Sequence, residues 1–116
     1  TLAAYWFQQA AEQGYAPAQS QLGLIYQYAM GVEKDTAKAL FWFGKASDQG
    51  DYIGIANIGV IYQNGDGVPR DAAEAARWDR KAAELGFAGG QLSLGWRYSD
   101  GEGVPKDPAI AFGWYL

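Results

Sequence analysis

The chain has 116 residues, a length typical of one domain, and 49% of them are hydrophobic, which is enough to form a core. The formal net charge is -4 and no Lys/Arg cluster occupies one predicted face, so nucleic acid is not expected as a partner. Cysteine and histidine are both absent, which excludes disulfides, thiolate chemistry and the Ser-His and Cys-His nucleophile pairs. No apolar run approaches the roughly 20 residues that a membrane-spanning helix needs, so no membrane span is predicted.

The chain aligns with itself, without a gap, at an offset of 36 residues. Such a period is typical of repeat proteins, in which stacked helix pairs bury a continuous core. The predicted fold is therefore all-α, an α-α superhelix (solenoid) of antiparallel helix pairs. The aligned columns include Gly14, Gly50 and Gly86; Gly23, Gly59 and Gly95; Gly31, Gly67 and Gly103; Asp35, Asp71 and Asp107; and Trp6, Trp42, Trp78 and Trp114.

Each repeat predicts two helices, A and B, because apolar residues recur at steps of three and four. Residues 1–14 are predicted to form helix B of a preceding unit, followed by repeat 1 (15–50), repeat 2 (51–86) and an incomplete repeat 3 (87–116). Helix A is predicted over about 16–29, 52–64 and 88–100, and helix B over about 36–49 and 72–85 and from 108 onwards.

The ends of the B helices carry capping residues. Each of these helices follows an aspartate, whose carboxylate is expected to accept backbone N–H groups of the first turn: Asp35, Asp71 and Asp107. Asp71 and Glu74 have the spacing of a capping box, in which each side chain bonds the other residue's N–H. Gly50 and Gly86 are predicted left-handed C-terminal caps.

Three glycines lie inside helix A, where glycine costs about 1 kcal/mol relative to alanine. We expect a ring from helix B, taken from the tryptophan column, to pack over the missing side chain. The column itself is predicted to be core, because Trp42 lies on the Ala/Trp/Ala stripe of its helix with Ala39 and Ala46.

The linker DGEGVPKD at 100–107 has a composition that suits an ion site, as does its copy NGDGVPRD at 64–71. A calcium loop needs oxygen ligands at alternate positions and a glycine at the sixth, and the copy YAMGVEKD at 28–35 lacks them. A phosphate site is disfavoured because an aspartate caps the following helix. We therefore predict a structural turn with a positive φ at its shared glycine, and no metal or cofactor.

The repeat pattern is A-x3-[LI]-G-x2-Y-x4-G-V-x2-D-x3-A-x2-W-x3-A, and it resembles the Sel-one-like repeat (SLR), a relative of the tetratricopeptide repeat. In the first unit it is carried by Ala18, Leu22, Gly23, Tyr26, Gly31, Val32, Asp35, Ala39, Trp42 and Ala46. The resemblance implies a non-enzymatic adaptor that scaffolds protein complexes. Some cysteine-rich secreted members bind or hydrolyse β-lactams, but this chain lacks their cysteines, so that activity is not transferred.

By analogy with tetratricopeptide units, the residue after the helix-A glycine faces a concave groove, with polar residues one turn away. Such a path suits an extended peptide or a partner helix, so a protein or peptide partner is predicted. Trp96 has an alternative placement, filling a gap between neighbouring helices. The predicted partner-binding residues are Ser20, Leu24, Gln27, Tyr28, Ala56, Val60, Gln63, Asn64, Leu92, Trp96, Ser99 and Asp100.

Two other function classes stay open at this point. One is an enzyme, for example a β-lactam-directed hydrolase that uses loop carboxylates, and the other is a small-ligand or glycan-binding module that uses Trp96 and Tyr28. The repeat register begins and stops inside a B helix, so we expect a piece of a longer array that self-associates through uncapped apolar ends. A periplasmic or secreted location and a cytoplasmic one, in a bacterium, both fit the composition.

Overall fold

The computed structural model describes residues 2–115, which form a first compact unit up to Ile58 and a second from Gly59 onwards. Seven α-helices and no strand occur in this span. The helices are α1 Leu2–Glu12, α2 Ala16–Gln27, α3 Thr36–Asp48, α4 Tyr52–Asn64, α5 Ala72–Glu84, α6 Ala88–Asp100 and α7 Pro108–Tyr115. The all-α expectation is confirmed; α2, α4 and α6 are the A helices, and the other four are B helices. None of the described helices is long and apolar enough to cross a membrane.

Each unit is organised around an A helix. In the first unit α2 packs against α1 and α3, and in the second unit α6 packs against α5 and α7. The first unit buries a cluster of Ala11, Ala18, Leu22 and Ile25, and partly buried side chains such as Val32 and Trp42 close over it. Small residues at the contacts allow the close approach that stacked helix pairs need.

The predicted N-caps are confirmed in all three linkers. The carboxylates of Asp35 and Asp71 each accept a backbone N–H three residues later at 3.0 Å, and Asp107 accepts the N–H of Ile110 at 3.1 Å. Each aspartate also donates its own N–H to the carbonyl of a helix-A tyrosine, at 2.8–3.0 Å. The linker is thereby bonded to the helix on either side of it.

The prediction of a capping box at Asp71 and Glu74 is wrong for one of its two bonds, the one expected between the Glu74 side chain and the Asp71 N–H. The Asp71 N–H donates to the carbonyl of Tyr62 at 2.9 Å and so has no need of the Glu74 side chain. The Glu74 carboxylate instead accepts the indole N–H of Trp78 at 3.2 Å and pairs with Arg77.

The linker glycines adopt the left-handed backbone that their positions predict. Gly31, Gly67 and Gly103 have φ values of 85°, 88° and 78°. At Gly103 an added Cβ would also overlap the carbonyl oxygen of Ala72, because the linker lies directly against the start of α5. In the first linker Ala29 takes a φ of 53°, which ends α2 at Gln27, two residues before the predicted end.

We expect Gly103→Ala to destabilise the chain more than Gly86→Ala. Both residues have positive φ, and a left-handed alanine costs about 1–2 kcal/mol. Gly86 has open space around an added Cβ, whereas Gly103 does not, so Gly103→Ala should cost about 1–3 kcal/mol more. Urea unfolding of the two variants measures the difference, and equal losses would contradict the close approach of the linker to α5.

A ring from helix B does cover the helix-A glycine in the first unit, but it is not the predicted one. A Cβ on Gly23 would lie 2.6 Å from two ring atoms of Phe43, and Phe43 is fully buried. The prediction that the tryptophan column is core is wrong for Trp6, which is 62% exposed, while Trp42 is half-buried. In α3, Trp42 lies at the edge of the buried face, and the next residue, Phe43, points into that face.

Candidate functional site

A cavity of about 220 Å³ opens on the second unit. Its lining comes from three helices, which bring together side chains that are far apart along the chain. Three of the lining residues, Val60, Gln63 and Trp96, belong to the partner-binding set predicted from the sequence. The full lining is Gly59, Val60 and Gln63 from α4, Asp79 from α5, and Ser93, Trp96 and Arg97 from α6.

An ion pair forms the charged part of this cavity. The Nε of Arg97 donates to Oδ2 of Asp79, and the two side chains are only 5% and 16% exposed. Burial raises the pKa of the Asp79 carboxyl, and this effect outweighs the opposing hydrogen bond and positive charge of Arg97. The pair therefore places two nearly desolvated charges of opposite sign beneath the cavity.

Sequence reasoning missed this pair, although the repeat alignment contains a signal for it. Thirty-six residues before Asp79 and Arg97, the corresponding positions carry Phe43 and Ile61, which are both fully or almost fully buried. Repeat 2 thus places an acid, and repeat 3 a base, at positions that are apolar core one repeat earlier. Opposite charges in core columns of two consecutive helices predict a buried pair, provided that the two columns face each other.

The polar wall is provided by Gln63. Its side-chain Oε1 is buried and has no hydrogen-bond partner among the described residues, while its backbone carbonyl accepts from Arg70 Nε at 2.9 Å. Arg70 also pairs with the Glu102 carboxylate, and this hydrogen bond holds the pKa of Glu102 below its usual range. A hydrogen bond from the Gln63 side chain to Glu102 acts in the same direction. Gln63 is thereby held in place through both its backbone carbonyl and its side chain.

Trp96 lies at the rim and is 43% exposed. The guanidinium of Arg97 lies over its indole ring, 5.7 Å from the ring centroid, so the ion pair is in contact with the rim. Val60, on α4, is exposed as well and lines the same cavity. The two open placements of Trp96 are thus distinguished by its exposure, because a residue that filled a gap between helices would be buried.

The other predicted partner-binding residues differ in exposure between the two units. In the second unit Asn64, Leu92 and Asp100 are exposed and Ser99 is half-buried; in the first unit Tyr28 is exposed, and Leu24 and Ala56 are half-buried. Ser20 and Gln27 are buried, so neither contributes to an exposed surface. The cause is the packing of α2 against α1 and α3, and the Ser20 hydroxyl donates to the Pro17 carbonyl at 3.1 Å. Among residues 2–115, no group of three or more acidic side chains is placed to hold a metal ion.

The pKa of Asp79 leads to an expected pH dependence. Because its pKa in the folded chain is raised above 3.8, the folded state binds this proton more tightly than the unfolded state. The associated stability is fully present below pH 3.8 and is lost as the pH rises through the folded-state pKa. Asp79→Asn removes this pH-dependent loss of stability, because an asparagine side chain does not titrate. The free energy of unfolding of the wild type should therefore fall relative to that of the variant between about pH 3 and pH 7, as measured by urea unfolding. A pH-independent difference would contradict the raised pKa.

The Sel1 repeat profile matches residues 1–15, 16–51, 53–87 and 88–116. Among solved structures, the chain is similar to a protective antigen of uropathogenic Escherichia coli strains that displays an SLR fold. It shares 46% identity and a TM-score of 0.86 with that protein, over 95% of this chain and 24% of the other. It is also similar to a Sel1 repeat protein from Oxalobacter formigenes, with 34% identity and a TM-score of 0.86 over 97% of this chain and 45% of that one.

A third similar structure is the cysteine-rich protein B of Helicobacter pylori, with 26% identity and a TM-score of 0.69 over 96% of this chain and 84% of that chain. No curated protein sequence matches the chain. The chain spans about a quarter of the first of these structures and under half of the second. Repeats of this kind are commonly protein-interaction modules and are generally non-enzymatic. With its helix pairs, its linker caps and a profile match along its whole length, the chain belongs to the Sel1 repeat family.

Proposed function

We propose that the chain binds a protein or peptide partner through the exposed faces of its A helices, with the principal contacts in the second unit. The helix-A surface of this unit consists of Val60, Leu92 and Trp96, with Gln63, Asn64, Ser99 and Asp100 at its polar edge. The observation that carries the proposal is the exposure of large apolar side chains around a cavity that also holds polar groups.

The chemistry of this surface suits polypeptide recognition. Leu92 and Trp96 are four residues apart on α6 and so lie on one face of the helix, and Val60 borders the same cavity as Trp96. Tryptophan is among the residues that contribute most to binding energy at protein interfaces, and polar rims are typical of them. In the first unit, Leu24, Tyr28 and Ala56 offer further partly or fully accessible contacts to the same kind of partner.

Three acidic side chains of the second-unit linkers have structural roles in the fold. Asp71 and Asp107 accept backbone N–H groups as helix caps, and Glu102 is paired with Arg70. General acid–base catalysis needs a group that is near substrate and tuned toward the working pH. The lowered pKa of Glu102 and the capping roles of the two aspartates do not fit that requirement.

A leucine pair on the second unit provides a matched test. Leu92 is 59% exposed on the helix-A surface, and Leu85 is 52% exposed at the end of α5. Peptides selected from a displayed random library on the wild-type chain should bind Leu92→Ala at least about tenfold more weakly, in line with loss of an interface anchor. Leu85→Ala should bind them as the wild type does.

Circular dichroism melting of both variants provides the control for folding. Because both leucines are exposed, the melting temperatures should stay near that of the wild type. Equal binding by the two variants, or a library that yields no binder, would refute the helix-A surface as the binding face.

A further inference from the structure

Two arginines of α5 line a second cavity, of about 170 Å³, between one face of that helix and the linker that follows α6. This arginine pocket is lined by Ala73, Ala76, Arg77 and Arg80 from α5 and by Gly103 and Val104 from the linker. These residues lie outside the helix-A surface. A ligand of this cavity would therefore be additional to the contacts proposed above, and the inference goes beyond the proposed function.

Arg80 is half-buried and lacks a counter-charge. Its Nη2 donates to the Tyr98 hydroxyl, and its guanidinium lies 5.6 Å from the centroid of the Tyr98 ring. Among residues 2–115, no carboxylate forms an ion pair with Arg80. A guanidinium has five N–H donors and cannot lose its charge in a protein. Partial burial of such a cation is unfavourable without an anion, so an anion that reaches Arg80 would be stabilised.

Arg77 adds a second guanidinium-bearing side chain to the same face of α5. It lies three residues before Arg80, a spacing that makes the two neighbours on the helix surface. Its side chain is 69% exposed, and its Nη1 pairs with the Glu74 carboxylate. Glu74 also accepts the indole N–H of Trp78 at 3.2 Å, so this carboxylate already has two donors on its own helix. With one carboxylate for two guanidiniums, this face retains one positive charge.

The acidic residues of the adjoining linker are engaged elsewhere. Glu102, beside the two linker residues of the pocket, pairs with Arg70. Asp107, at the end of the linker, accepts two backbone N–H groups of α7 at 3.1 Å. Neither acid is a counter-ion of Arg80, and both have donors of their own. The positive charge of the pocket is therefore not cancelled by the linker that lines it.

The repeat architecture does not require these two arginines. One repeat earlier the corresponding positions carry Phe41 and Gly44, and α3 forms a helix of the same length as α5 without them. In none of the other three B-helix segments do both positions carry a base. A pair of charges that the helix pair can do without favours a role in binding over a role in folding.

We propose that the arginine pocket binds a carboxylate, whose oxygens accept hydrogen bonds from Arg80 and Arg77. A carboxylate matches the planar fork of a guanidinium, which can hold both of its oxygens. Its single negative charge balances the one positive charge that the protein leaves uncompensated. A phosphoryl group carries a charge of about -1.5 to -2 at neutral pH, and the excess would be repelled by Glu74. An acidic side chain and the C-terminus of a polypeptide both present a carboxylate.

The first test titrates the full chain with N-acetyl-glutamic acid α-amide and with its neutral isostere, N-acetyl-glutaminamide. At low ionic strength the acid should shift the Nε–H NMR signals of Arg77 and Arg80 and the backbone amides of Gly103 and Val104. The neutral probe should bind at least about tenfold more weakly, because it cannot form charge-assisted hydrogen bonds. Equal affinity for the two probes, or shifts confined to other residues, would overturn the proposal.

Two further probes distinguish the sources of the carboxylate. N-acetyl-alanine presents a C-terminal carboxylate, so tighter binding of this probe than of the glutamic acid α-amide assigns the pocket to a chain terminus. The reverse order assigns it to an acidic side chain, and either order supports a carboxylate site. Inorganic phosphate that binds more tightly than both probes would overturn it.

Arg80→Met tests the assignment by removing the uncompensated charge while an unbranched apolar side chain is retained. The variant should bind the glutamic acid α-amide at least about tenfold more weakly than the wild type. Lys106→Met is the matched control, because it removes one positive charge from an exposed linker residue that does not line the pocket. It should bind the probe as the wild type does.

Circular dichroism melting shows whether Arg80→Met keeps its fold after losing the bond to Tyr98. If it melts lower than the wild type, Arg77→Met provides the decisive measurement, because the Arg77 side chain is 69% exposed and its removal should leave the fold intact. This variant should bind the acid probe about threefold more weakly, in line with the loss of an exposed charge pair. Unchanged binding by both arginine variants, or equal weakening by Lys106→Met, would overturn the carboxylate site.

Discussion

Phe43→Ala is expected to lower the free energy of unfolding by about 3–5 kcal/mol, the range for removing a large buried aromatic side chain. Phe43 is fully buried in α3, and its ring lies against Gly23 of α2 so closely that not even a methyl group fits between them. Truncation would leave a cavity that rigid helix backbones on both sides cannot fill by collapse. Urea unfolding followed by circular dichroism measures the loss.

Phe41→Ala is the matched control, because the same chemical change occurs two residues earlier in the same helix. The Phe41 ring is exposed and makes an edge contact with Trp42, so its removal should cost less than about 1 kcal/mol. Similar losses for the two variants would mean that Phe43 is not the ring that holds α2 against α3.

Asp79→Ala is expected to destabilise the chain by about 3–5 kcal/mol, because it leaves the Arg97 guanidinium buried without its counter-charge. Arg97 is only 5% exposed, and besides Asp79 its guanidinium donates to the Glu102 carbonyl at 3.4 Å. By contrast, Asp79→Phe combined with Arg97→Ile restores the residue types found one repeat earlier. Replacement of a buried ion pair by well-packed apolar residues is often neutral or stabilising by about 1–4 kcal/mol, so the double variant should be at least as stable as the wild type.

Urea unfolding of Asp79→Ala and of the double variant tests whether the first loses stability while the second does not. If the double variant is as unstable as Asp79→Ala, the ion pair itself is required for folding and the second unit cannot accommodate phenylalanine and isoleucine at these two positions.

Much of the local structure could be predicted from the sequence. The 36-residue period predicted the helix pairs, and the observed helices begin and end within two residues of the predicted ranges. The three aspartate caps and the positive φ of Gly31, Gly67 and Gly103 also agree with prediction. These features depend on hydrogen bonds and backbone sterics over a few residues, which a short stretch of sequence determines by itself.

The candidate site depended much more on tertiary structure. Val60 and Trp96 are exposed, whereas Ser20 and Gln27 are buried by the packing of α2 against both neighbouring helices. Repeat symmetry alone treats Ser20 and Leu92 as equivalent, although one is buried and the other exposed. Burial is a property of the surroundings, and the surroundings differ from one repeat to the next.

By itself, the sequence determined the repeat period, the helix ends, the caps and the family, because each follows from local pattern. Only the tertiary structure decided that Phe43, and not the tryptophan column, covers the helix-A glycine, and that Asp79 meets Arg97 beneath a cavity. Those contacts join residues 18 to 20 positions apart on different helices, where the angle between helix faces selects which side chains meet. Asp79 and Arg97 stand where the preceding repeat has buried apolar residues, and both line the cavity of the second unit.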